Sequence, residues 1–206
     1  LFRSSFTPPA KVRAAEMTMP VAPAGNGNPL PRARPGPTGI IRVRDRTVPT
    51  GGAHVHDWMD AALAEARLAP THDDVPVGAV VVDLESGAIV ARAHNTRERD
   101  GDPTAHAEVL ALRAAAEGGS WRLDHHALVV TLEPCPMCAG AVWAARVPLL
   151  VFGAADPRAG AAGTAYNFAT DPRLNHTTEV RAGIRAAECA ELLTDFFAGK
   201  RSGAPT

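Results

Sequence analysis

The chain has 206 residues, 46% of them hydrophobic and 21% charged, with a formal net charge of -1. That length and composition suit one core-forming domain with an additional segment. Three cysteines leave no even set for a disulfide framework, and the absence of a run of about eighteen apolar residues argues against a membrane span.

Charge is unevenly distributed. Residues 1–52 carry eight Lys/Arg against Glu16 and Asp45, while the remainder carries thirteen basic against twenty acidic residues. An acidic body argues against broad, sequence-blind nucleic-acid binding and leaves room only for a local groove. Residues 1–52 also hold nine of the eighteen prolines and six glycines, so we read them as a disordered Pro/Arg-rich extension, with residues 53–206 as the folded domain. Gly39 to Arg44 could form a short strand within it, and the amphipathic helix of a transit peptide is interrupted by proline throughout.

The first predicted helix is capped by Asp57, places Met59, Leu63, Ala66 and Leu68 on one face, and ends before Pro70. Val77 to Val82 is a continuous, largely β-branched run and reads as a buried strand. Ser86-Gly87 turns it into a second strand, Ala88 to His94, and Asn95 to Gly101 reads as a charged loop. Asp102 and Pro103 have the chemistry of a cap and first helical position, which predicts a helix through Leu110 and Leu112 to Glu117. A third strand, Ala127 to Thr131, leads into a cysteine loop and a helix from Pro136 to Ala145. Leu149 to Phe152 is a fourth strand, followed by a Gly/Ala-rich loop, Ala154 to Ala165. A weak strand at Thr177 to Arg181 and a helix from Ile184 to Phe197 complete the pattern, which predicts a three-layer α/β/α domain with a mixed sheet.

The chemistry concentrates in Pro103 to Glu108 and Glu133 to Cys138. His106, Cys135 and Cys138 form the donor set of a catalytic zinc site with an open fourth position, because a structural site would use four protein ligands. Helix starts favour thiolate forms of the two cysteines. Glu108, two residues from His106, is the candidate general acid/base that passes a proton from water to a ring and then to a leaving amine. A redox pair or half of a structural zinc site are the competing readings of Cys135-Cys138, and the redox reading would not need His106. Cys189 sits at apolar spacing on the last helix and reads as a core residue.

His-x-Glu followed by Pro-Cys-x-x-Cys is the signature of zinc nucleobase deaminases. From about His56 to Phe197 the sequence resembles the bacterial tRNA-specific adenosine deaminases of the cytidine/deoxycytidylate deaminase superfamily. Matching stretches include Val75 to Val80, Asn95, Asp102 to Glu108, Thr131 to Gly140, Val151 to Ala154 and Glu188 to Phe197, and the ones that narrow the resemblance are Gly160 to Gly163, Asn175-His176 and Leu192 to Phe197. The resemblance implies a cytidine-deaminase-like fold with a five-stranded sheet, one zinc ion per subunit, a cytoplasmic homodimer, and conversion of adenosine to inosine at the wobble position of a tRNA anticodon. It also implies that Asn95, Ala107 and Val77 contact the flipped base, and that Asp156 and Asn175 contact the anticodon loop. Phe196 would lie along the RNA-binding edge.

The family often carries a lysine near Ala159 and a longer basic C-terminus, for which Arg158, Lys200 and Arg201 are the nearby basic residues here. The basic extension is a candidate phosphate contact. Two alternatives share the zinc motifs. One is a free nucleobase or nucleoside deaminase of guanine or cytosine type; the other is a non-catalytic, zinc-stabilised RNA-binding module.

Overall fold

The computed structural model describes residues 52–202. The expected extension at 1–52, with its short strand, therefore lies almost wholly outside the described residues. Five strands form one sheet in the order β2-β1-β3-β4-β5, with β1 Gly78–Asp83, β2 Ile89–His94, β3 His126–Leu132, β4 Leu149–Ala154 and β5 Glu179–Ala182. β1 is antiparallel to both β2 and β3, whereas β3, β4 and β5 run parallel, so the sheet is mixed as predicted. The main helices are α1 Gly52–Ala66, α3 Ala107–Ala116, α4 Pro136–Ala144 and α5 Ala186–Ser202, with a short α2 at Arg97–Asp100.

Alternation along the strands explains the layers. Ala79, Val81, Leu128, Val130, Leu150 and Phe152 pack on one face with Ala107, Ala111, Leu112 and Val142 of α3 and α4. Val80, Val82, Val129 and Val151 face the other way, onto Met59 and Leu63 of α1 and Cys189 of α5. Successive side chains of a strand point to opposite faces, so a strand covered on both sides must be apolar throughout. Gly78 permits the close seat of α1 on β1: a Cβ there would stand 2.1 Å from the Ala62 carbonyl oxygen.

Three differences from the sequence expectation have a local cause, beyond small shifts at other ends and an α5 that runs on to Ser202. Asp57 is not a cap; α1 starts at Gly52, and Leu68, placed on its apolar face, is 46% exposed beyond its end. Asp102 and Pro103 do not open α3. Asp102 instead accepts hydrogen bonds from the Thr104 amide (2.7 Å) and hydroxyl (2.8 Å), and His106 remains extended (φ -77°, ψ 147°), so the helix cannot begin before Ala107. The charged loop after Asn95 contains the α2 turn.

Candidate active site

Four segments converge at one edge of the sheet. Because β2 runs in the same direction as β3 and β4, their C-terminal ends lie together, joined by the start of antiparallel β1. Asn95 follows β2, Glu133 to Cys135 follow β3, Asp156 follows β4, and Val77 precedes β1. Ligand sites in open α/β sheets form at such carboxyl ends.

His106 is the residue before α3, and Glu108 is the second residue of that helix. Cys135 occupies the equivalent capping position of α4, Pro136 begins the helix, and Cys138 lies in its first turn. The Nδ1 atom of His106 is 3.8 Å from the Cys135 sulfur and 3.5 Å from the Cys138 sulfur. A tetrahedral zinc ion with ordinary Zn–S and Zn–N bonds places such donors about 3.6 Å apart. The three residues form the described residues' one cluster of candidate metal ligands, their donor atoms all within 4.8 Å of each other. This donor set therefore fits zinc, as the sequence predicts.

The electrostatics of the cluster are those of a cation site. Cys138 shares a proton with the Cys135 sulfur, which, with His106 beside it, brings Cys135 down to about 4. The same hydrogen bond, with burial, pushes the Cys138 thiol up. Hydrogen bonding to Cys135 raises His106. His106, Cys135 and Cys138 would hold a divalent cation in place of the shared proton, and its charge would favour both thiolates. Glu108 is only 4% exposed, and burial pushes its carboxyl above the usual range despite nearby His106.

A pocket of ≈ 210 Å³ opens beside the cluster, lined by His106, Glu108 and Cys135 together with Val77, Asn95 and Asp156. It is smaller than the range of about 300 to 1,000 Å³ typical of drug-sized ligands and suits a single base. Ala107 sits between two lining residues and is fully buried. Asn175 and Phe196 do not line this pocket. Asn175 is exposed and its side-chain oxygen accepts from Arg146 (2.8 Å). Phe196 is half-buried on α5, edge-on to Phe197, with the Lys200 ammonium 5.5 Å above its ring.

A family model describing the cytidine and deoxycytidylate deaminase zinc-binding region matches residues 53–154. A tRNA-specific adenosine deaminase of Bacillus subtilis (strain 168) is 48% identical over 141 residues, covering 68% of this chain and 86% of the relative. The chain belongs to the tRNA-specific adenosine deaminase family. A solved structure concerned with A-to-I editing by tRNA deaminases at the wobble position is 43% identical with a TM-score of 0.63, covering 66% of this chain and 99% of the other. A guanine deaminase from Nitrosomonas europaea is 27% identical with a TM-score of 0.53, covering 69% of this chain and 84% of that one. The tRNA deaminase likeness is thus the stronger of the two in both sequence and backbone. In this member of the family, all three candidate ligands and Glu108 fall inside the matched zinc-binding region, whereas Asp156, Asn175 and Phe196 lie beyond it.

Two residues of this deaminase site go beyond the sequence expectation. Glu133 lines the pocket, is 1% exposed, and accepts hydrogen bonds from the amides of Ala162 and Thr164 (both 3.0 Å) and Asp156 (3.1 Å). It ties the Gly/Ala-rich loop to the end of β3, and its place next to Pro134-Cys135 was the available signal. Arg97 also lines the pocket, and the polar run containing it gives no such hint.

Proposed function

We propose that this tRNA adenosine deaminase family member hydrolyses adenosine to inosine at the wobble position of a tRNA anticodon. The observation that carries the reading is the buried Glu108 carboxyl, which faces the same base-sized pocket as the His106–Cys135 pair. His106, Cys135 and Cys138 would hold one zinc ion per subunit, and zinc in such a site supplies the Lewis acid that makes water nucleophilic at neutral pH.

The chain's own groups then do the rest. Glu108 accepts one proton of the attacking water on a carboxylate oxygen and gives it to the ring nitrogen, then takes the second proton from the new hydroxyl and gives it to the departing amine, which leaves as ammonia while the C–O bond becomes a carbonyl. Val77, Asn95 and the backbone at Ala107 hold the base, and the pocket's size requires that the base leave its stack. An anticodon loop supplies an unpaired base at low extrusion cost. Asp156 meets the loop at the pocket wall, with Asn175 and Phe196 further out along the RNA. The working form is a homodimer in the cytoplasm; no described helix is long and apolar enough to cross a membrane.

The test is inosine formation in a panel of anticodon stem-loops incubated with the zinc-loaded protein. Inosine at the wobble adenosine is the expected result. Ammonia release from free guanine, cytosine or their nucleosides, with the stem-loops untouched, would overturn the reading. Light scattering of the same preparation tests the dimer.

A further inference from the structure

Asp74 lies between the turn that follows α1 and the start of β1, and is fully buried. It is neither a candidate metal ligand nor a residue lining the pocket. Four donors surround it. Its Oδ1 accepts from the Asn95 side-chain amide (3.2 Å) and the Glu98 backbone amide (2.8 Å). Its Oδ2 accepts from the Arg99 backbone amide (3.1 Å) and lies 2.9 Å from His72 Nδ1.

An ionised carboxylate can only accept hydrogen bonds. The Asn95 carboxamide must therefore turn an N–H toward Asp74, leaving its oxygen and second N–H for the pocket it lines. His72 donates for the same reason, so its tautomer is also set by Asp74. The oxygen that orients Asn95 holds the Glu98 amide as well, and its twin holds the next amide. The α2 turn is thereby seated on the group that orients Asn95. Arg97 opens that turn and is the one Lys or Arg side chain among the residues lining the pocket.

We propose that Asp74 is a positioning residue: its buried carboxylate sets both the amide orientation of Asn95 and the seat of the turn that carries Arg97 at the pocket rim. One group, remote from the chemistry, then fixes the side chain facing the base and the cation nearest the strand. The inference rests on the base-contacting role of Asn95 given above.

Asp74→Asn is nearly isosteric, but its single acceptor oxygen cannot serve all four donors. Relative to the full-length, zinc-loaded wild type, kcat/KM for inosine formation in the wobble stem-loop is expected to fall about tenfold or more. In an Asn95→Ala background the same change is expected to cost at least about threefold less in kcat/KM than in the wild type, because one of the two groups it acts through is already gone. Full multiplication of the two losses, at unchanged zinc content, would overturn the proposal, since a merely structural Asp74 acts independently of Asn95.

Hydrogen exchange on the wild-type protein gives a second, substrate-free arm. The Asn95 side-chain N–H and the Glu98 and Arg99 amides should be protected together, and rapid exchange of all three would also overturn it. A wild type that makes no inosine would instead count against the assigned reaction, and the exchange result would still decide the role of Asp74.

Discussion

The carboxylate of Glu133 occupies the space beside Gly160 that any other residue would need for its side chain: a Cβ there would stand 2.3 Å from Glu133 Oε2 and 2.6 Å from the Asp156 carbonyl oxygen. Glu133 cannot withdraw without releasing three backbone amides. Gly160→Ala should therefore destabilise the protein by about 1 to 3 kcal/mol through overpacking. It should also raise KM for the stem-loop by displacing Asp156, with zinc content unchanged. Thermal melts, metal analysis and steady-state kinetics read the three quantities separately.

The ligands and Glu108 should separate cleanly. His106→Ala and Cys138→Ser should each yield protein that fails to retain zinc after dialysis. Glu108→Ala should fold, keep its zinc and lose about 10² to 10⁴ in rate, the contribution of a positioned general acid/base. Metal content by mass spectrometry beside inosine formation tests both, and near wild-type activity of the Glu108 variant is the result that would sink its assigned role.

Cys189 should be silent in metal binding. It is 1% exposed in the core, with its sulfur 3.9 Å from that of Met59, on the face of the sheet opposite α3 and α4. Cys189→Ala should keep both zinc and activity, whereas Cys189→Ser should lower the melting temperature further because it buries a hydroxyl among apolar groups. A loss of zinc in the alanine variant would reassign the ligand set.

Asp74 should also leave a mark on acid stability. Burial opposes its ionisation, but the Glu98 and Arg99 amides and His72 outweigh burial and hold its carboxyl below the usual range. A carboxyl whose folded pKa is depressed contributes stability that is fully present above its unfolded value, about 3.9, and disappears as pH falls through the lower folded value. Denaturant titrations between about pH 5 and pH 2 should thus show a smaller pH dependence in Asp74→Asn than in the wild type. Identical slopes would mean that the carboxylate gains nothing from its partners.

The sequence carries the sheet and the metal cluster for different reasons. β1 and β3 are apolar on both faces because helices cover both, and an apolar run of that kind is visible in one dimension. His106, Cys135 and Cys138 are visible because the chemistry restricts the residue types and their spacing. The start of α3 was not legible: Asp102-Pro103 has the composition of a helix start and of a tight turn alike, and only the extended backbone of His106 distinguishes them. Nor was α2, whose amides are held by Asp74 from more than twenty residues away. Asn175 and Phe196, which only the family resemblance singles out, do not line the pocket in the folded chain.

The antiparallel placement of β1 against β3 has an evolutionary consequence. It brings the β1–β2 hairpin, with Val77 before it and Asn95 after it, to the rim of a centre whose donors come from the starts of α3 and α4. The candidate metal donors and two of the proposed base contacts, Val77 and Asn95, are thus carried by separate stretches of polypeptide. On the proposed function, mutation can remodel the hairpin and its flanking turn while the donors stay in place, which separates a change in base preference from a change in the metal site.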